Sequence, residues 1–220
     1  MFDENMLDTL QSPLTERVTN FTDGLIQEYL VFRGFFQCVR LFDQRRKHDR
    51  MSESNKIVEE IFHLVHAFDH KNLSLLWAHL DVNMFQKLDS SKYFLTITKL
   101  GSSLKRYFCI HCVQNNQQEI CKQFLAKHTK EFFKDRSWQP WFALPFLKNP
   151  ENEPQFELYF SKQWIDTLRI SLKNFICTIL ASIPKPRIMS FEHMRNTIKD
   201  SESHILVLES DLKKLSKANA

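Results

Sequence analysis

The hydrophobic pattern of this 220-residue chain is that of successive α-helices. Apolar residues recur three and four positions apart, the spacing that places them on one face of a helix. Three stripes of this kind cover residues 57–68, 73–88 and 93–108, and Gly101 inside the third indicates a kink or a close approach of two helices. Short polar joints between the stripes favour antiparallel neighbours and a stack of helical hairpins. We expect Ser54 to cap the first of these helices, Asn72 to start the second, and Ser90 or Ser91 to open the third.

Two more helices are predicted further along the chain. Asn116 and Glu119 have the spacing of a capping box, so we expect a helix from there through Phe132. Residues 155–182 are apolar on most sides, and Pro154 suits the first turn of a helix. A helix that is apolar nearly all round is expected at the centre of the fold.

The composition agrees with an all-α fold. Three glycines and seven prolines are few for a turn-rich β-protein. The apolar fraction of 43% excludes general disorder, and twenty phenylalanines predict largely aromatic contacts between helices. The net charge of +4 is small and the two signs are interspersed, so the sequence has no basic stripe typical of a nucleic-acid-binding face.

The stretch 25–42, LIQEYLVFRGFFQCVRLF, reads as two short apolar helices separated by Gly34. We expect the first helix to begin near residue 23, capped by Asp23 or Thr22. It should end at Gly34, since glycine adopts a left-handed conformation at little cost. The pattern Leu-Ile-x-x-Tyr-Leu-x-x-x-Gly-Phe resembles a LisH motif, a helical hairpin that dimerises in many scaffold proteins, although Cys38 stands where that motif often has Ser or Thr. Two short helices cannot bury so many large side chains between themselves, so the hairpin needs a second copy or more of the chain. The residues expected in that interface are Leu25, Ile26, Tyr29, Leu30, Gly34 and Phe35.

Residues 137–154, SWQPWFALPFLKNPENEP, break the helical pattern. The four prolines in this segment deny a continuous helix. Its large apolar residues would be an aggregation hazard if they were exposed. We therefore expect the segment to be clamped inside the helical stack, and the alternative is a groove that binds a partner. The residues of that candidate groove are Trp138, Trp141, Phe142 and Phe146.

Beyond a stiff joint at 183–186, the apolar period changes from that of a lone helix to the heptad of a coiled coil. Four heptads with polar residues at the other positions predict a coiled coil over 190–218. Ser201 weakens the pattern, and the alternative is a single amphipathic helix that folds back on the stack. The core residues expected in the coiled coil are Ile198, Ile205, Leu208, Leu212 and Leu215.

The sequence has no recognisable catalytic constellation. Three isolated glycines cannot build a phosphate-binding loop, and no paired-carboxylate or nucleophile motif is present. The one metal-like group is Cys109-x-x-Cys112 with Cys121 and His128, but a single CxxC inside an amphipathic helix is a weak zinc signal. We expect core thiols there, and no catalytic residue, cofactor or metal. We expect three histidines of one predicted helix region to lie at exposed positions: His63, His66 and His70.

The predicted organisation has four parts. Residues 1–20 form a flexible leader, 21–48 the LisH-like dimerisation hairpin, 54–183 a helical domain that contains the clamp 137–154, and 190–218 the coiled coil. The N-terminus lacks the apolar core of a signal peptide, and the most apolar helix carries charged residues, so a membrane-spanning segment is not expected. Five cysteines, an odd number, indicate free thiols in the reducing cytoplasm.

Three stretches together resemble a known family. EYLVFRGFFQCVR, WQPWFALPFLKNP and YFSKQWIDTLRISLKNFICTILASIPKP, followed by the coiled coil, are similar to the N-terminal half of the WD-repeat protein ninety-one family of endosomal maturation factors. The resemblance implies a non-enzymatic scaffold on the cytosolic face of early and late endosomes. It implies a BEACH-domain WD-repeat partner and restraint of the class III phosphatidylinositol 3-kinase complex through its Beclin subunit. The expected result is early-to-late endosome conversion.

Two other functions stay open. A LisH hairpin would equally suit an assembly subunit of a ubiquitin ligase complex, which needs no kinase partner. A basic run after the hairpin would suit weak binding to anionic lipid. On the residues and the resemblance together, we expect a homodimer that associates peripherally with endosomal membranes. The basic run consists of Arg45, Arg46, Lys47 and Arg50.

Overall fold

The computed structural model describes residues 13–47, 52–88 and 90–218. Within these ranges the chain forms ten α-helices and no strand, which confirms the all-α fold. Five short 3₁₀ segments lie among them, at Phe85–Lys87, Arg136–Phe142, Leu144–Phe146, Pro150–Asn152 and Arg187–Ser190. The α-helices are α1 (Pro13–Phe32), α2 (Phe36–Lys47), α3 (Glu53–His66), α4 (His70–Asn83), α5 (Ser90–Gln114), α6 (Gln118–Lys127), α7 (Thr129–Phe132), α8 (Glu157–Phe160), α9 (Lys162–Ser182) and α10 (Phe191–Ala218).

The chain divides into two compact units, which we call the hairpin unit and the core unit. The hairpin unit consists of residues 1–50 and 184–220 and contains α1, α2 and α10. The core unit consists of residues 51–183 and contains α3 to α9. Among the described residues, every buried apolar side chain belongs to the core unit. The two units therefore differ in how far their apolar surfaces are covered.

In the core unit, α9 packs against both α3 and α5, as expected of a central helix. The apolar face of α3 is fully buried at Ile61 and Val65, and that of α9 at Leu172 and Ile176. These helices are far apart in the sequence, so their contact closes the unit. The charged rim of the contact is formed by Arg169, which lies 4.0 Å from the centre of the Phe62 ring and pairs with Glu59.

The helix α1 begins ten residues before its predicted start near Asp23. Thr22 cannot cap a helix there, because its hydroxyl donates to the carbonyl of Val18, one turn earlier in the same helix, at 2.8 Å. Residues 13–20 are thus helical rather than part of a flexible leader, whereas residues 1–12 lie outside the described residues. The predicted end of this helix at Gly34 is confirmed.

Gly34 has a φ of +75°, and the N–H of Phe35 donates to the carbonyl of Leu30 at 2.9 Å. This is the Schellman arrangement, in which a left-handed residue ends a helix and satisfies its last carbonyls. The LisH-like pattern therefore does form a helical hairpin of α1 and α2. The amide of Gln27 reaches across it and donates to the carboxylate of Asp43 at 3.1 Å.

Two predicted helix starts are misplaced by a few residues. Asp69, not Asn72, caps α4, since its carboxylate accepts a hydrogen bond from the N–H of Asn72 at 3.0 Å. Ser52 stands at the cap position of α3, so the predicted cap, Ser54, lies inside the first turn and is buried. The start of α5 at Ser90 is confirmed.

Asn116 ends a helix rather than starting one. Its φ is +57°, and the N–H of Gln117 donates to the carbonyl of Cys112 at 2.8 Å, which closes α5 in the same way as Gly34 closes α1. Phe68 ends α3 likewise, with a φ of +56°. A bulky residue in this left-handed region is an outlier, and the Phe68 ring stacks on His111 at 5.1 Å between centroids.

The helix predicted over 155–182 is divided in two. Ser161 is extended, and its hydroxyl accepts a hydrogen bond from the N–H of Trp164 at 3.2 Å, which caps α9. The preceding turn forms the separate short helix α8. Pro154 therefore lies in a turn before α8 rather than in the first turn of a long helix.

Candidate functional site

The LisH-like surface on α1 and α2 is only partly covered. Leu25, Ile26 and Leu30 are half-buried. Tyr29 is 54% exposed and Phe35 is 45% exposed, so the large rings of the predicted interface face solvent. The structure thus brings the predicted residues together on one hairpin and leaves their outer surface open.

Sequence reasoning missed the most exposed apolar residues of this hairpin. Phe32 is 86% exposed, and Phe36 and Leu41 are exposed as well. The guanidinium of Arg33 lies 5.8 Å from the centre of the Tyr29 ring and 5.2 Å from that of Phe35, and it donates to the Tyr29 hydroxyl at 2.8 Å. Phe32 could have been found from the sequence, because it lies seven residues after Leu25 and so continues the same helical stripe.

The heptad stripe on α10 is also exposed. Ile198, Ile205 and Leu208 are each more than half exposed. Leu212 and Leu215 belong to the same helix, but their side chains lie outside the described residues. No described side chain of α10 between 194 and 210 is buried.

Leu206 and Val207 were not predicted as contact residues, yet both are more than half exposed. They follow Ile205 and precede Leu208, so four consecutive apolar residues face solvent. At 100° per residue, such a run covers the whole circumference of a helix. Near the middle of α10 the open apolar surface is therefore wider than a single heptad seam.

The segment 137–154 is clamped inside the core unit, as expected. Trp138 and Trp141 are each 3% exposed, so they cannot line an open partner groove. Trp138 stacks on Phe132 with 3.8 Å between ring centroids, and the guanidinium of Arg106 lies 5.3 Å from the Trp138 ring and 5.6 Å from the Trp141 ring. The tryptophans are buried because this Arg106 and the neighbouring rings enclose them.

The other two residues of the candidate groove, Phe142 and Phe146, differ in how far they are exposed. Phe142 is half-buried, and its ring stacks on Phe133 at 5.7 Å and 20°. Phe146 is 72% exposed. Phe133, which sequence reasoning did not single out, is 68% exposed. The outward-facing aromatic surface in this region is therefore formed by Phe133 and Phe146 rather than by the tryptophans.

The cysteines of the metal-like group are core residues. Cys109, Cys112 and Cys121 are completely buried, and burial raises the pKa of the Cys109 and Cys112 thiols well above the ordinary value. Neutral buried thiols behave as small apolar groups. Among the described residues, no three histidines, cysteines or carboxylates converge as metal ligands would.

The predicted exposure of the histidines holds for His63 and His66 but not for His70. His70 is half-buried between the rings of Phe108 and Phe124, with centroids 6.2 Å and 6.0 Å away, because it lies in the first turn of α4 and faces the core. Burial, followed by the charge of Lys127, lowers its pKa.

His66 and His111 form a ring pair with centroids 4.8 Å apart. A nitrogen of the His66 ring and the hydroxyl of Tyr107 share a hydrogen bond of 3.0 Å. Partial burial of the rings lowers the pKa of both histidines, and the nearby Arg169 lowers that of His66 further. The two histidines and Tyr107 thus form a packed polar cluster.

The fold and these surfaces define an all-helical protein with a filled core unit and a hairpin unit whose apolar faces are open. The chain belongs to the family described as the Armc9, CTLH-like domain, whose family model matches residues 56–182. That range lies within the core unit.

Relatives named WD repeat-containing protein 91 confirm the resemblance seen in the sequence motifs. The protein of Gallus gallus is 38% identical over 79% of this chain and 23% of its own length, and that of Mus musculus is 35% identical over 89% and 27%. A homolog from Dictyostelium discoideum is 34% identical over 84% of this chain and 29% of its own length. The chain thus spans about a quarter of these relatives. No solved structure matches it.

In the part of the chain that the structure describes, no helix combines the length and the apolar character needed to cross a membrane.

Proposed function

We propose that this chain is a non-enzymatic, dimeric scaffold that restrains class III phosphatidylinositol 3-kinase on endosomes. In this proposal it acts with a BEACH-domain WD-repeat partner and a Beclin-containing kinase complex, and it promotes early-to-late endosome conversion. The kinase, the partner and the endosomal location come from the family resemblance. The physical part of the proposal is the pairing of two copies.

One observation carries that part: none of the described apolar side chains of the hairpin unit is buried, whereas the core unit has a buried apolar core. Tyr29 and Phe35 on the hairpin and Ile198 and Ile205 on α10 each expose about half of their surface. Removing apolar surface from water is favourable, at roughly 25 cal/mol for each Å². The hairpin and α10 would act together in a dimer, because pairing at one of them raises the effective concentration of the two copies for pairing at the other.

The test of pairing is the mass of the purified chain by light scattering. We expect a dimer at micromolar concentration, and a variant with Tyr29→Ala and Leu30→Ala that dissociates more readily, since both residues belong to the open face of α1. Phe94→Ala is the matched control, because Phe94 is exposed on α5 in the core unit. A monomeric wild type would disprove pairing, and an unchanged mass of the double variant would remove the hairpin from the interface.

The kinase role is tested in cells that lack the endogenous scaffold. Expression of the chain should lower the signal of a phosphatidylinositol 3-phosphate reporter on endosomes, and the Tyr29→Ala, Leu30→Ala variant should restore it. An endosomal reporter signal that does not respond to the wild-type chain would contradict the kinase role.

A second candidate is an assembly subunit of a ubiquitin ligase complex. A LisH-like hairpin that is followed in the chain by a CTLH-like domain favours it, since both are consistent with an assembly role. Affinity purification of the chain from cells distinguishes the two functions. Recovery of Beclin-containing complexes favours the first, and recovery of ligase subunits without Beclin favours the second.

A further inference from the structure

A second open apolar surface lies on the core unit, at α7 and the 3₁₀ segments that follow it. Phe133 and Phe146 are among the most exposed apolar side chains of this unit, at 68% and 72%. Phe133 stacks on Phe142, and the 3₁₀ turn that ends at Phe146 begins two residues after Phe142. We call Phe133, Phe142 and Phe146 the phenylalanine patch.

Lysines accompany this patch. The ammonium of Lys122 lies 5.1 Å from the centre of the Phe146 ring. Lys130 and Lys134 flank Phe133 in the sequence, and Lys148 follows Phe146 by two residues. All three are exposed, and none of them forms an ion pair within the described residues. Lys122 itself pairs with Glu119 at 3.1 Å, so the unpaired positive charge close to the patch in the sequence is that of Lys130, Lys134 and Lys148.

The acidic residues of the same region are already engaged. Glu131 pairs with Lys105 and, at 3.2 Å, with His128, and these partners lower its pKa to about 2. The carboxylate of Asp135 accepts hydrogen bonds from the N–H and the hydroxyl of Ser137, at 2.9 Å and 2.8 Å. Between 127 and 148 there are five lysines and arginines and only these two acids. The charge left to face a ligand is positive.

We propose that the phenylalanine patch with its lysine rim is a contact surface for an anionic lipid bilayer. Exposed aromatic rings enter the boundary between headgroups and acyl chains, and lysines around them are attracted to anionic headgroups. A partner protein would also bury the rings, but an unpaired cationic rim on an exposed aromatic surface is complementary to a negative membrane surface. This inference rests on the proposed function, because it assigns the membrane association of the scaffold to named residues.

The test is sedimentation of the full chain with vesicles of phosphatidylcholine, with and without phosphatidylserine. We expect binding to the anionic vesicles only, and weaker binding as salt is raised. Replacing both rings, Phe133→Ser with Phe146→Ser, should weaken binding by at least about tenfold, since each ring loses its burial in the lipid. Phe133→Leu with Phe146→Leu should retain binding.

Two further variants test the charge and the specificity of the site. Lys130→Gln with Lys134→Gln should weaken binding by about fivefold for each charge removed. Phe94→Ser is the matched control, because Phe94 is also 68% exposed but lies on α5, outside the patch. Circular dichroism checks that each variant is folded, which we expect because the replaced side chains are exposed.

Three results would overturn the proposal. They are a wild type that does not sediment with anionic vesicles, a double serine variant that binds as the wild type does, and an equal loss in Phe94→Ser. Loss of binding only on Arg45→Gln with Arg46→Gln would assign the membrane contact to the basic run instead. Light scattering of the same samples separates the two proposals: a dimer that ignores vesicles rejects the patch, and a monomer that binds them rejects the pairing.

Discussion

Gly101 leaves room on α5 for the side chain of Trp77, which comes from α4. A Cβ added at this position would lie 3.2 Å from a ring carbon of Trp77, which is closer than ordinary van der Waals contact. The Trp77 ring also packs edge-on against Phe85, with 5.6 Å between centroids, so it is held from the other side. The sequence predicted a kink or a close helix approach at this glycine, and the structure shows a close contact with a tryptophan side chain of α4.

We expect Gly101→Leu to lower the free energy of unfolding by about 1–3 kcal/mol, the usual cost of overpacking. Leucine is a better helix former than glycine, so a loss of stability would come from the contact with Trp77 and not from helix propensity. Urea unfolding followed by tryptophan fluorescence measures it. Ala78→Leu, at an exposed position of α4, is the control and should change stability little. A Gly101→Leu protein as stable as the wild type would contradict the close contact with Trp77.

The histidines predict how stability depends on pH. Burial lowers the pKa of His66, His70 and His111 below the ordinary value of 6.5. The unfolded chain therefore binds more protons than the folded chain once the pH falls below 6.5. The free energy of unfolding should be highest above that pH and should fall as the pH drops towards the pKa values of the folded protein.

Urea midpoints measured from about pH 7.5 to about pH 5.5 should show this loss. His111→Phe keeps the stacking on Phe68 and removes one titrating group, so its midpoint should depend less on pH than that of the wild type. His79→Gln, exposed on α4, is the control. Glu131, with a pKa of about 2, stays ionised throughout and does not contribute to the change.

The residues that face the core were easier to predict than the residues that end helices. Periodicity finds Ile61 or Leu172 because burial repeats with each turn. Asn116 has the side chain of an N-cap, and only its left-handed backbone and the preceding helix show that it closes α5 instead. The same holds for Phe68, since no sequence rule places phenylalanine at a positive φ.

At the scale of elements, Arg106 holds the clamp to α5. Its guanidinium lies against the rings of Trp138, Trp141 and Tyr159, and one of its nitrogens donates to the hydroxyl of Ser137 at 2.7 Å. This single side chain stacks on rings and forms a fixed hydrogen bond at once. A lysine keeps the charge but has no planar group with which to do both.

Arg106→Lys should therefore lower the free energy of unfolding by about 1–2 kcal/mol, through lost stacking and one lost charged hydrogen bond. It should also change the tryptophan emission, because Trp138 and Trp141 lose their cover. Arg136→Lys is the control, because Arg136 is exposed and lies in the 3₁₀ segment that carries Trp138 and Trp141. An Arg106→Lys protein with wild-type stability and emission would show that the clamp is held by the aromatic contacts alone.

The sequence was sufficient to predict a clamp but not to say which of its rings are buried. Prolines exclude a long helix over 137–154, and the apolar content requires cover. The burial of Trp138 and the exposure of Phe146 depend on Arg106 and Phe132, which come from elsewhere in the chain. Tertiary contacts between distant residues, not local pattern, decide between the two rings.

At the scale of the whole molecule, the two units differ in whether they have a buried apolar core of their own. All buried apolar side chains of the described residues lie in the core unit. We expect a fragment of residues 52–183 to be a folded, monomeric helical protein with cooperative urea unfolding. Its tryptophan emission should match that of the full chain, because all four tryptophans lie within it. A fragment that aggregates or unfolds without cooperativity would show that the core unit depends on the hairpin unit.

The sequence predicted the order of the helices and the open hairpin, because both follow from local periodicity. It could not predict that the first and last helices of the core unit pack together, since such pairing leaves no local signal. The apolar run at 205–208 was missed for another reason. A heptad pattern is defined by two core positions in every seven residues, so apolar residues at the other five positions do not contribute to it.

The pairing of α3 with α9 has a consequence for synthesis of the protein. The apolar face of α3, with Ile61 and Val65, emerges from the ribosome about a hundred residues before Leu172 and Ile176 on α9 are available to cover it. A nascent chain must therefore carry an uncovered helix while the intervening residues are translated. That interval is when a chaperone would have most to do, and a premature stop ahead of α9 would leave the same face without its native cover.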